Sequence, residues 1–158
     1  MGGFTVRAAL PGDVRAMAEL YAEVAGERTG IAGEPPVDVD ALAARFAATL
    51  DGSLVAVADG RLIGMVSVEA SRHGFGEIGM LVEAASRGRG VGGALLAGAA
   101  EWARDQGLHK LCLEVFPHNV AAISLYRKCG FTEEGRRVRQ YRRASGEYWD
   151  SIIMGRAL

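Results

Sequence analysis

Arg87-Gly88-Arg89-Gly90-Val91-Gly92-Gly93 stands between a strand-like run that ends at Val82 and a helical run carrying Leu95, Leu96, Ala99, Trp102 and Ala103 on one face. Glycines let a backbone approach a phosphate closely, and successive N–H groups pointing inward at a helix N-terminus form an anion site. Arg87 and Arg89 add positive charge there. Gly88-x-Gly90-x-x-Gly93 satisfies the dinucleotide fingerprint, with Glu114 about where a ribose-binding acid would stand. That reading fails on context. In a dinucleotide fold the first glycine ends its strand, whereas Glu83-Ala84-Ala85-Ser86-Arg87 intervene here; Glu114 also sits inside its strand, and the remaining chain is too short for a doubly wound sheet. A phosphate loop of the Walker type is excluded as well, because no Lys-Ser or Lys-Thr follows the glycines.

Working outward, the helix spans about residues 90–106 and is ended by Gly107. Leu111-Cys112-Leu113-Glu114-Val115 is a mostly apolar strand, which suggests parallel pairing with residues 77–82 in a βαβ unit. Asn119 is placed to cap a short helix through Cys129, Gly130 to close it in the left-handed conformation, and Phe131 to fold back onto its last turn. Two strands, 132–142 and 148–154, finish the chain. Toward the N-terminus, Phe4-Thr5-Val6-Arg7-Ala8 alternates as a strand, and Pro11-Gly12-Asp13 offers a turn and a cap for a helix with Val14, Met17, Ala18, Leu20 and Tyr21. Residues 26–36, rich in Gly, Pro and charge, read as a loop and candidate substrate lid before a helix opening near Asp38. Residues 54–58 and 62–68 are strands joined by a tight hairpin at Asp59-Gly60.

Composition bounds the function. With 158 residues, 49% of them hydrophobic, the chain fits one domain, 1–158. A net charge of −1 offers no broad surface for nucleic acid, although Arg136, Arg137, Arg139, Arg142 and Arg143 cluster; their alternation reads first as a solvated strand face, and a minority could pair with a substrate carboxylate. Cys112 and Cys129 are isolated, so neither a disulfide framework nor a metal site is indicated, and a reducing cytoplasm fits. No stretch approaches the roughly 20 apolar residues of a membrane span, so no membrane partner is expected.

The segment Arg87-x-x-Gly90-x-Gly92 resembles the pyrophosphate-binding motif of the GNAT superfamily of N-acetyltransferases, (Gln/Arg)-x-x-Gly-x-(Gly/Ala), in its usual place. Glu114-Val115-Phe116-Pro117-His118-Asn119, then Ala121-Ala122, Leu125-Tyr126 and Gly130-Phe131, resemble the superfamily's next strand and helix, which carry an Asn and, seven residues later, a Tyr. Together these motifs cover residues 77–131. The tail, from Glu134-Gly135-Arg136 through Tyr148-Trp149-Asp150 to Met154, is similar to the branch containing bacterial L-amino-acid N-acetyltransferases. The resemblance implies an α/β GNAT domain: a mixed, mostly antiparallel sheet of about seven strands, about four helices, and a parallel central pair that splays to admit coenzyme A. It implies an acyltransferase that uses acetyl-CoA as cosubstrate, needs no metal, and acetylates a small amine, with an L-amino acid first and a protein N-terminal alanine second. A non-catalytic acyl-CoA-binding module is the rival from another class. A homodimer stays open.

Acetyl transfer from a thioester needs an uncharged amine, oxyanion stabilisation and a proton for the departing thiolate. By resemblance, Met80, Leu81 and Val82 present backbone groups to the pantetheine arm and acetyl carbonyl, and Gly88, Arg89, Gly90, Val91, Gly92 and Gly93 bind pyrophosphate with Arg87 at their head. Asn119 contacts the pantetheine arm, and Tyr126 meets the sulfur as general acid. As residues alone, Asn119 is equally a helix cap and Tyr126 a core tyrosine. Glu77, Glu114 or ordered water is the base; a charged residue inside an apolar strand, as Glu114 is, needs a reason. His73 and His118 are left without a role.

Overall fold

The hairpin at Asp59 and Gly60, both at positive φ, joins the strands around which the sheet is laid down. The computed structural model describes residues 3–158. Strands β1 (Thr5–Ala8), β2 (Ser53–Ala58), β3 (Arg61–Ala70), β4 (Phe75–Val82), β5 (Lys110–Val115), β6 (Thr132–Arg142) and β7 (Tyr148–Ala157) form one seven-stranded sheet in the order β1-β2-β3-β4-β5-β7-β6. Every pairing is antiparallel except β4 with β5. Helices α1 (Val14–Ala25), α2 (Val39–Ala48), α3 (Val91–Asp105) and α4 (Val120–Lys128) complete the α/β architecture expected above.

Strand alternation sorts the core onto two faces. Val55, Met65 and Leu81 pack with Met17, Leu20 and Val24 of α1, whereas Ala56, Val66, Leu113, Val115 and Met154 pack with Leu95, Leu96 and Ala99 of α3 and with Ile123 and Tyr126 of α4. Helices α1 and α2 therefore cover one face, and α3 and α4 the other. Between them the central pair comes apart. The parallel ladder runs only from Phe75↔Lys110 to Glu77↔Cys112, although β4 continues to Val82 and β5 to Val115. Beyond Glu77, the backbone groups of β4 on that edge have no partner in β5.

One local detail differs from the sequence reading. Asp13 does not cap α1; its carboxylate accepts from the Arg7 guanidinium at 2.6 and 3.0 Å and from the Leu10 N–H at 2.7 Å, and a short 3-10 turn, Pro11–Asp13, leads into the helix instead. Asp38 does cap α2, accepting from the Ala41 N–H at 3.0 Å. The tail β7 is inserted between β5 and β6, which brings residues 137–153 alongside Glu114.

Candidate active site

Gly90 caps α3 at φ +85°, a conformation that costs a side-chain-bearing residue about 1–2 kcal/mol and a glycine almost nothing. That turn aims the start of α3 at the split. The Ala94 N–H already bonds the Gly90 carbonyl at 3.1 Å, so the N–H groups of Val91, Gly92 and Gly93 are the ones left without an intrahelical acceptor. All three residues line a cavity of about 740 Å³, within the range of small-ligand sites. A 3-10 turn, Ala84–Ser86, holds the loop from behind. There the buried Glu83 accepts from Arg61 at 2.5 and 2.9 Å and from the Ser86 hydroxyl at 2.6 Å; the guanidinium hydrogen bond is the main reason its pKa lies below the usual carboxylate value.

The cavity wall takes in Met80, Leu81, Val82, Arg87, Gly88, Gly90, Val91, Gly92, Gly93, Asn119 and Tyr126, nearly the whole set implied by the resemblance. Arg89 is exposed and lies outside the wall. Arg87 is on the wall but committed: its two terminal nitrogens meet the Glu27 carboxylate at 2.7 and 2.8 Å, and its Nε–H donates to the Val82 carbonyl at 2.9 Å. The backbone N–H groups of residues 91–93 and the positive end of α3 are the groups on this wall that could hold a phosphate of a coenzyme A ligand.

Helix α4 is fixed at both ends. Asn119 accepts from the Ala122 N–H at 3.2 Å. At the other end the Phe131 N–H reaches the Tyr126 carbonyl at 3.0 Å and the Gly130 N–H the Arg127 carbonyl at 3.1 Å, with Gly130 at φ +91°; this paired closure seats the Phe131 ring 5.9 Å from that of Tyr126. Tyr126 is 8% exposed, and burial pushes its phenol up to about 12. It is a proton donor at any physiological pH.

On the opposite face, Glu114 accepts from the Arg137 guanidinium with one oxygen and from the Tyr141 hydroxyl with the other. Burial first, then the carboxylate, pushes the Tyr141 phenol up to about 12. Glu114 and Tyr141 line the cavity; Glu77 does not, being exposed opposite Glu69 and Cys112. Tyr126 thus approaches the split from the α3/α4 side and Glu114 from the α1/α2 side.

The segment between α1 and α2 lines the cavity as a strap, fastened by His118, which carried no role in the sequence reading, and by Arg143, which was expected on a solvated face. His118 Nε2 hydrogen-bonds the Thr29 carbonyl at 2.7 Å, and Arg143 donates to the Ala32 and Ile31 carbonyls at 2.9 and 3.4 Å. Arg143 is 4% exposed, stacked 4.2 Å over the Trp149 ring, with Phe116 4.9 Å from Trp149 and 5.6 Å from His118. A buried guanidinium among aromatic residues is legible in a sequence only as an arginine next to a strand end, which is no signal. Of the other arginines of the run, Arg136 pairs with Asp150, Arg139 lies over Tyr148 and Arg137 is held by Glu114. None of the run lines the cavity, although Arg137 meets Glu114 at its wall. No group of metal-binding side chains occurs among the described residues, and no helix is long and apolar enough to cross a membrane.

A glycine-capped helix aimed into a split between parallel strands, with a buried phenol on one side and a carboxylate on the other, is an arrangement suited to acyl-group transfer. The chain belongs to the Acetyltransferase (GNAT) family, whose model matches residues 15–131, and it is an N-acetyltransferase. It is 33% identical over 144 residues to the aminoglycoside N(6')-acetyltransferase type 1 of Stenotrophomonas maltophilia, covering 84% of this chain and 88% of that one. It is 32% identical over 140 residues to the L-methionine sulfoximine/L-methionine sulfone acetyltransferase of Pseudomonas paraeruginosa, covering 83% and 81%. Among solved structures it superposes on the acetyltransferase yncA of Salmonella typhimurium with its cofactor acetyl-CoA at a TM-score of 0.87, with 27% identity over 98% of this chain and 94% of that one.

Proposed function

We propose that the protein moves the acetyl group of acetyl-CoA directly to the primary amine of a small molecule, an L-amino acid or a close analogue, within a ternary complex. The observation that carries this is the end of the β4/β5 ladder at Glu77↔Cys112, which opens a slot continuous with the α3 anion site and flanked by Tyr126 and Glu114. The α3 N-terminus holds pyrophosphate, the unpaired edge of residues 78–82 orients the thioester, and the strap and aromatic residues keep water from the acceptor. As the amine nitrogen bonds to the acetyl carbon and the carbon–sulfur bond breaks, Glu114, directly or through water, takes the amine proton and Tyr126 gives its own to the sulfur. An α-amine, with a reference pKa of about 7.7–8.0 against about 10.4 for lysine, suits a base already engaged by Arg137 and Tyr141. The relatives acting on amino-acid analogues and on an aminoglycoside support a small acceptor.

The test is acetyl-CoA-dependent thiol release over amino acids, polyamines, aminoglycosides and peptides. Turnover of free amino acids is expected. Turnover confined to peptides would move the acceptor to a protein N-terminus, and cofactor binding without turnover of any amine would make the chain a binding module.

A further inference from the structure

Two polar side-chain atoms among the described residues are sealed from water without a hydrogen-bond partner: Arg143 Nε and Ser151 Oγ. The first belongs to a guanidinium whose other nitrogens already hold the strap. Ser151 has no such employment. It lines the cavity and is 1% exposed. In β7 it stands opposite Arg137, and Ile153, next along the same face, stands opposite Glu114. Alternation therefore puts the Ser151 side chain on the acceptor face near Glu114, while Ile152 beside it enters the core beneath α3 and α4. No hydrogen bond joins Ser151 to Glu114, whose oxygens accept from Arg137 and Tyr141.

Buried polar groups in proteins are almost always paired, and an orphan at the wall of a substrate cavity calls for a partner on the substrate. A serine hydroxyl both donates and accepts, and its staggered positions about one bond let it turn to a bound group without backbone movement. The charge of its surroundings narrows that partner. The charges nearest it are already paired with one another, Glu114 with Arg137, which favours a neutral group over an ion.

We propose that Ser151 is a specificity-determining residue of the acceptor site, its Oγ hydrogen-bonding a neutral hydroxyl or amide group that the acceptor carries a few bonds from the reacting amine. This rests on the acetyl-transfer reading above and narrows it to amines with a polar, uncharged tail. A serine chosen only for its small size would serve equally as alanine, and that sets the experiment.

Acceptors are compared in pairs of matched shape that differ by one polar group: threonine with valine, asparagine with leucine, ethanolamine with propylamine. The native enzyme should favour the polar member by at least about tenfold in kcat/KM, since a site built to bond a substrate group rejects the analogue lacking it. Ser151→Ala should bring that ratio to within about twofold, leave the KM for acetyl-CoA unchanged, and leave Tm equal or higher, because it removes a group that folding left unpaired. An unchanged ratio in Ser151→Ala, or an equal loss on polar and apolar acceptors accompanied by a lower Tm, would overturn the assignment while the transfer reading stands. Failure of the native enzyme to release thiol with any acceptor would overturn the transfer reading, and this inference with it.

Discussion

Tyr126 keeps its proton because burial disfavours the phenolate, and the rise to about 12 means that no part of the neutral or mildly alkaline range deprotonates it. Tyr126→Phe should lower kcat by about 10²–10⁴-fold while acetyl-CoA affinity, measured by calorimetry, stays near native, because the phenol is one contact among many to a large ligand. The kcat profile of the native enzyme should likewise show no alkaline limb from this group below pH 10. A folded Phe variant with near-native kcat would return Tyr126 to a packing role. The two glutamates separate by position. Glu114→Gln should reduce acceptor kcat/KM strongly at pH 7 and recover part of it at higher pH, where the amine deprotonates unaided; Glu77→Gln, exposed and off the cavity wall, should change little. The reverse pattern in a pH–rate comparison would move the base to Glu77.

Helix α3 depends on a backbone conformation at Gly90 that other residues avoid. Gly90→Ala keeps open space around the new methyl group but must hold φ near +85°, so it should destabilise the protein by about 1 kcal/mol and weaken acetyl-CoA binding by misaiming the N–H groups of residues 91–93. Thermal melting and calorimetry read the two effects separately. Unaltered affinity in the folded variant would detach the loop from cofactor binding. The cap at Asn119 and the paired closure at Gly130 do for α4 what Gly90 does for α3: they set where a short helix begins and ends, and so where Tyr126 points.

Across the whole molecule, the strap ties the cofactor loop to the β6–β7 hairpin through Arg87–Glu27 at one end and Arg143 at the other. Arg143→Met, which keeps some apolar contact with Trp149 and loses the carbonyl bonds, should raise the acceptor KM severalfold with little change in the acetyl-CoA KM. A uniform loss in both would mark the arginine as a general stabiliser. The acid limit of stability has a named contributor. Glu83 has a depressed folded pKa, so its contribution is present above the ordinary glutamate value of 4.5 and is lost as pH falls below that value through the folded one. Glu83→Gln should therefore flatten the fall in Tm on the acid side of 4.5; an unchanged slope would assign the acid limit to other carboxylates.

The half of the cavity built from the α3 and α4 helix ends was legible in the sequence because each part is made by residues close together in the chain. A glycine-capped helix start, an Asn cap and a Gly-Phe closure are local geometries, so spacing along the chain fixes spacing in space. The same locality made the β2/β3 hairpin and the parallel β4/β5 pair readable, but not the rest of the strand order. The acceptor half is assembled by contacts 60, 89 and 111 residues apart in sequence, between Arg87 and Glu27, His118 and Thr29, Arg143 and Ala32. Insertion of β7 between β5 and β6 then decides that Tyr141 and Arg137 meet Glu114 with Ser151 on the same face, and that an arginine run expected on a solvated face loses one member to a buried clamp. Those placements depend on which distant surfaces the two faces of the sheet bury together, and only the tertiary structure carries that information.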